Sequence, residues 1–302
     1  MRQKKPYNKK WNLILSMLIF GSIGLFRRSI DLPSSMIACL RGLVGGAFLL
    51  LFVLLRKKNM DTDALKKNLP VLIVSGIVIG FNWILLFEAY RYTSVAIATL
   101  CYYMAPIVVI LFSPLLFGEK ITGRKALCVL VALLGMVLVS GVTSFRLEAS
   151  EMRGIFLGLG AAALYAAIVL INKKLPPLDA YGKTVVQLLS AGIVLIPYVL
   201  LTEDLTAVHF EQKELVLLAI VCIVHTGFAY ALYFGAVSAI PAQTSAIFSY
   251  IDPVTAIFLS AFLLHEDMTV PGIIGTVLVL GGTIASEFAD KKKPEAQTQA
   301  KS

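Results

Sequence analysis

The residue with the clearest chemical potential in this chain is Asp252, in the stretch "SYIDPVTAIFLSAFLLHEDMT" from Ser249 to Thr269. A carboxyl group inside an apolar run can carry a proton, pair with a cation or hold a basic group. A charge at mid-bilayer costs about 2.5–3.5 kcal/mol on insertion scales, so such a residue faces a cavity or a partner. Pro253 beside it removes a backbone donor and weakens the helix, freeing carbonyls that can line a cavity. The competing reading is a protonated carboxyl hydrogen-bonded within a helix bundle.

Other groups with chemistry lie in apolar stretches too. Arg41, in "ACLRGLVGGAFLLLF", has no acid near it in sequence. It can neutralise a distant carboxylate, attract an anionic substrate group, or snorkel to an interface. Glu88 stands three residues before Arg91, on one helical face, which fits an interfacial ion pair or a gate. His225 can titrate near neutral pH and share in proton coupling, or be a satisfied buried histidine. Asn82, Trp83, Tyr102, Tyr103, Tyr165, Tyr230, Tyr233, Thr244 and Tyr250 fall in the same or neighbouring stretches. As a set they suit an amphipathic pocket, rings for apolar surface and polar tips for orientation. Singly, each also fits packing or an interfacial belt.

The elements that would position these residues follow from composition. Hydrophobic residues make up 58% of the 302 residues and charged ones 15%, against about 25% charged in a soluble domain. The apolar residues come in blocks near the roughly 20 residues that span a bilayer as a helix. The blocks predict ten spans, at about 11–27, 35–55, 70–90, 94–117, 126–144, 154–172, 181–201, 214–235, 241–264 and 271–289. The basic N-terminus followed by an apolar run reads as a retained first span with Arg27 and Arg28 as anchors, since no clear cleavage site follows.

With the N-terminus inside, inner segments hold 20 of the 27 Lys and Arg, while the outer loops carry Glu203, Asp204, Glu211, Glu214, Glu266 and Asp267. The positive-inside rule then places both termini in the cytoplasm and the chain in the plasma (inner) membrane. The net charge of +9 is accordingly a topology signal, not a nucleic-acid footprint. Four cysteines lie singly in apolar spans, without metal-like spacing. Neither a metal nor a cofactor is expected.

The chain also repeats itself. Shifting "YYMAPIVVILFSPLLFGEKIT" by 147 residues superposes Tyr103 on Tyr250, Pro106 on Pro253, Ser113 on Ser260, Glu119 on Glu266 and Thr122 on Thr269. "GFNWILLFEAY" pairs with "GFAYALYFGAV" at the same shift, putting Trp83 on Tyr230. Only the second copy carries the aspartate; the first has Ala105 there. Five spans per copy is an odd number, so the copies must be inverted, the architecture of alternating-access transporters. The expected fold is all-α integral membrane, with ten transmembrane helices as two inverted five-helix repeats over 11–144 and 152–289, and cytoplasmic tails 1–10 and 290–302. Duplication gives Pro106, Pro253, Glu119 and Glu266 structural tasks.

The paired "AP…SPLLFGEKIT" and "DP…SAFLLHEDMT" segments and Arg41 resemble the EamA-type family of the drug/metabolite transporter superfamily, over roughly residues 12–289. The resemblance implies two five-helix bundles around a central cavity and export or exchange of small metabolites, often amino acids. Candidate partners are a small-molecule substrate, the lipid bilayer, protons and a second copy of the chain. A non-transporting scaffold or sensor is the alternative. An intramembrane enzyme is the weakest reading, for the chain lacks a zinc pair, a nucleophile elbow and a nucleotide loop.

Overall fold

The computed structural model describes residues 7–57, 60–118, 121–139, 148–206, 208, 211–237 and 248–288. Among them the chain is helical and contains no strand. Helices α1 (Tyr7–Gly21) and α2 (Ile23–Arg28) are nearly continuous, followed by α3 (Ser34–Leu55), α4 (Thr62–Lys67), α5 (Leu69–Tyr92), α6 (Val95–Tyr102), α7 (Ala105–Phe117) and α8 (Gly123–Val139). The second half holds α9 (Ala149–Lys174), α10 (Ala180–Thr202), α11 (Gln212–Ala219), a π-helical segment (Ile220–Phe228), α12 (Ala229–Val237), α13 (Ile251–Leu263) and α14 (Val270–Phe288).

Among the described residues seven helical stretches are long and apolar enough to cross a membrane: Lys9–Arg28, Ser34–Leu55, Leu69–Tyr92, Val95–Phe117, Ala149–Lys174, Ala180–Thr202 and Gln212–Ala236. Ile251–Leu263 and Val270–Ser286 are shorter apolar helices. The 22 residues of α3 extend about 33 Å at 1.5 Å per residue, enough for the hydrocarbon core. Exposed aliphatic side chains such as Leu115, Leu201 and Val270 clothe the outside of the bundle, as contact with lipid demands.

Local chemistry sets the boundaries. The Asp179 carboxylate accepts from Gly182 N–H at 2.6 Å and caps α10. Gly118, with φ +66°, ends α7 in a left-handed turn, and His265, with φ 52°, holds the matching position after α13. The fourth expected span breaks between Tyr102 and Ala105, just before Pro106, and α13 likewise starts at Ile251, just before Pro253. Proline tolerates the first turn of a helix, where an N–H has no intrahelical acceptor, and is disfavoured in the interior, though Pro114 in α7 and Pro197 in α10 are accommodated there. Asp252 therefore stands not within a continuous span but in the first turn of a half-helix.

Helix partners recur in the two halves. Helix α1 packs on α13 as α9 packs on α7; α3 packs on the π segment as α10 packs on α5; α3 crosses α10, and α8 crosses α14. The crossings need glycine. A Cβ at Gly42 would lie 2.6 Å from the Gly192 nitrogen, and one at Gly135 would lie 2.7 Å from the Gly275 oxygen. Small residues at such contacts let two backbones approach, the usual packing device in membranes. Glu119, Thr244 and the tails 1–6 and 289–302 lie outside the described residues.

Candidate functional site

The broken helices bring their ends together, with Tyr103 beside Tyr250 and Asp252. Asp252 is half-buried there, and the Tyr103 hydroxyl, from the matching break in the first half, interacts with its carboxyl. A helix N-terminus leaves N–H groups unpaired and carries partial positive charge, which suits a carboxylate. Tyrosine rings surround it. Tyr103 lies 6.3 Å from Tyr250 and 6.2 Å from Tyr102, and Tyr102 lies 5.3 Å from Tyr165, between ring centroids. Across from them Phe20 meets Tyr230 at 5.3 Å, and Phe234 stacks on Tyr230 at 5.8 Å and meets Tyr233 at 5.1 Å. Tyr102, Tyr103, Tyr230 and Tyr233 keep part of their surface open, and Tyr165 is 42% exposed. Tyr102, Tyr230 and Tyr233 also pack against the apolar core, so these rings are partly open and partly core.

Arg41 lies near the same tyrosines. It is only 5% exposed, so it does not snorkel to an interface. Its Nε donates to Thr226 Oγ1 at 2.7 Å, and its guanidinium lies 4.2 Å from the Trp83 ring centroid and 5.5 Å from that of Phe87. Tyr90, Tyr102 and Tyr230 are electrostatic neighbours of both Arg41 and Asp252. One cation and one carboxyl group thus border a common cluster of tyrosines.

Other expected site residues are placed elsewhere. Asn82 is buried and donates from Nδ2 to Ala161 O at 2.6 Å, tying α5 to α9. His225 lies in the π segment with Nε2 3.0 Å from Ser22 Oγ and its ring 4.6 Å from that of Phe26, so it joins the end of the first span to the eighth. Glu88 pairs with Arg91 at 3.3 Å, and both line a cleft of about 540 Å³ at one end of the bundle with Asp31, Glu203, Asp204, Glu211 and Glu214. Glu266 is a tie: it accepts from Arg28 Nη2 and Val95 N, each at 2.8 Å, and from the Ser260 hydroxyl.

Several polar contacts escaped the sequence reading. Arg27, expected as an anchor, is buried; it donates to Ile30 O at 2.7 Å and Ser34 Oγ at 2.9 Å. Gln187 joins three helices, donating to Ser75 Oγ at 2.7 Å and Asn172 Oδ1 at 2.9 Å. An amide inside a 23-residue apolar helix was a visible signal for that contact, since a buried amide needs partners. No sequence signal marked the π segment. Among the described residues no group of His, Cys, Asp and Glu is arranged to hold a metal ion.

Comparison with known proteins agrees with this architecture. The chain is 28% identical over 277 residues to the uncharacterized transporter YxxF of Bacillus subtilis (strain 168), covering 89% of this chain and 86% of that one. It is 29% identical over 208 residues to protein RarD of Salmonella typhi, covering 68% and 67%. A shorter match, 30% over 111 residues, covers 37% of this chain and 38% of the pseudopaline exporter CntI of Pseudomonas aeruginosa (strain UCBPP-PA14). A solved crystal structure shares the fold with a TM-score of 0.64 at 19% identity, over 94% of this chain and 97% of that one. The EamA-like transporter family matches twice in tandem, at residues 11–141 and 152–286. With both halves matched, the chain is a multi-pass membrane protein that belongs to the EamA-like transporter family.

Proposed function

We propose that the chain is a secondary carrier that exports small metabolites such as amino acids by alternating access. Ten spans form two inverted five-helix repeats, over 11–144 and 152–289, in the plasma (inner) membrane with both termini cytoplasmic. The recurring helix partners and the matching breaks before Pro106 and Pro253 support the repeats. The cluster of acids at one end and the basic segments assigned to the other support the orientation.

The observation that carries the reading is Asp252 at the start of a half-helix, with its carboxyl on the Tyr103 hydroxyl of the other repeat amid a cluster of aromatic rings. A titratable group at the seam of two bundles can couple a proton to their relative motion. Tyr102, Tyr103, Tyr165, Tyr230, Tyr233 and Tyr250 form the walls that take the solute, and Asp252 is the coupling group. Glu88 and Arg91 stand at the outer mouth.

Transport by purified protein in proteoliposomes tests this. A panel of labelled amino acids is offered with and without a pH gradient, with wild type beside Asp252→Asn. Accumulation driven by the gradient and abolished in the variant is the expected result. Flux indifferent to both the gradient and the substitution would refute proton coupling through Asp252.

A further inference from the structure

Arg41 is buried deep in α3 without an acidic partner. Among the described residues the ion pairs are Arg28–Glu266 and Arg91–Glu88. One edge of the guanidinium is fixed by Thr226 and one face by Trp83. Its two Nη groups donate no hydrogen bond among the described residues. They are not sealed either, for the sealed and unpartnered side-chain polar atoms are Arg27 Nε and Thr93 Oγ1. The Nη pair therefore remains free to bind, with Tyr90, Tyr102 and Tyr230 as its electrostatic neighbours.

Thr226 is prepared for its task by the π segment. Its hydroxyl donates to Val221 O at 3.1 Å, five residues back in the π register, so its oxygen is left to accept from Arg41. Gly45 makes room, since a Cβ there would lie 2.6 Å from Thr226 Cγ2. A wide helical turn, a threonine and a glycine thus hold one guanidinium at a set angle over one indole. A desolvated cation held this way calls for an anion, and no described acid forms an ion pair with it.

We infer that the Nη pair of Arg41 binds the carboxylate of the transported solute, with Thr226 as a positioning residue that aims the fork. This rests on reading the Asp252 space as the transport site. A carboxylate is favoured over a phosphate ester because one guanidinium offers a single charge, and the Asp252 carboxyl group borders the same tyrosines. The solute's own anionic group completes the pair that the bundle lacks.

Trp83 provides a direct readout, because the chain has two tryptophans and Trp11→Phe leaves Trp83 alone to emit. The purified full chain is titrated with the twenty amino acids, their 2-oxo acids and their primary amides, and with methyl phosphate. At least one acid is expected to change Trp83 emission, with its amide binding roughly ten- to a hundredfold more weakly. Arg41→Gln should erase that preference and Arg41→Lys keep part of it. Thr226→Val should weaken the acid severalfold while leaving the amide unchanged, and Thr226→Ser should restore it.

An amide that binds as well as its acid, a preference that survives Arg41→Gln, tighter binding of methyl phosphate, or no emission change across the panel would each overturn the inference. Flux measured in parallel separates the two readings. Transport without acid preference leaves the carrier and removes this role for Arg41. Acid binding lost in Arg41→Gln, with no flux, keeps the anion site and removes the carrier.

Discussion

Glu266→Gln tests whether the end of the bundle that bears Glu266 is held shut by one carboxylate. Glu266 joins four parts of the chain: Arg28 after the first span, the Val95 N–H in the first turn of α6, Ser260 in α13, and its own loop through Glu266 N to Ser260 O at 3.1 Å. Hydrogen bonds to a charged group contribute about 1.5–3 kcal/mol when well buried. The Glu266 side chain is 14% exposed but that of Arg28 is 36% exposed, so solvent screening reduces the ion pair to about 1 kcal/mol. The Val95 bond is part-buried and survives in weaker, neutral form in glutamine. The substitution should then cost about 1–2 kcal/mol, and Glu266→Ala about 2–4 kcal/mol.

A double-mutant cycle with Arg28→Gln isolates the pair. Unfolding in sodium dodecyl sulfate, followed by helicity, gives the four free energies. A coupling of about 1 kcal/mol is expected. A coupling within about 0.3 kcal/mol of zero would show that the tie runs through the backbone N–H and Ser260 alone, and would refute the ion-pair reasoning.

Tyr103→Phe removes the hydroxyl that faces Asp252 and keeps the ring. Gradient-driven flux in proteoliposomes should fall while gradient-independent exchange is spared, and equal loss of both would count against coupling at this contact. His265 adopts a left-handed conformation where the first half has Gly118. His265→Gly should change stability in the same unfolding assay by at most about 1 kcal/mol, because relief of strain opposes the added freedom of the unfolded chain. A loss well above that would show that the imidazole itself makes a needed contact.

Much of this protein was legible before folding. Apolar blocks of membrane length report seven of the ten expected spans directly, because bilayer thickness fixes how many residues a helix needs. The duplicated prolines reported the helix breaks, because proline removes a backbone donor and disfavours a helix interior, although Pro114 and Pro197 are accommodated inside α7 and α10. The pairing of Glu88 with Arg91 follows from spacing on one helical turn. These are local properties, set by a few neighbouring residues and the bilayer.

Contacts between distant segments were decided only by tertiary structure. Asn82 and Trp83 are adjacent in sequence, yet one ties α5 to the Ala161 carbonyl and the other lies under Arg41. Successive residues of a helix point about 100° apart and meet different neighbours, so residue type alone cannot assign them. Arg27 and Arg28 looked alike as anchors, but the turn after α2 buries Arg27 against Ile30 and Ser34 and leaves Arg28 to reach Glu266. Arg41 could have found a carboxylate. It found a threonine and an indole, because a π turn 185 residues away in the chain presents Thr226 to it. The sequence by itself determined seven of the expected crossings and the two breaks; which buried charge meets which partner depended on how the helices pack.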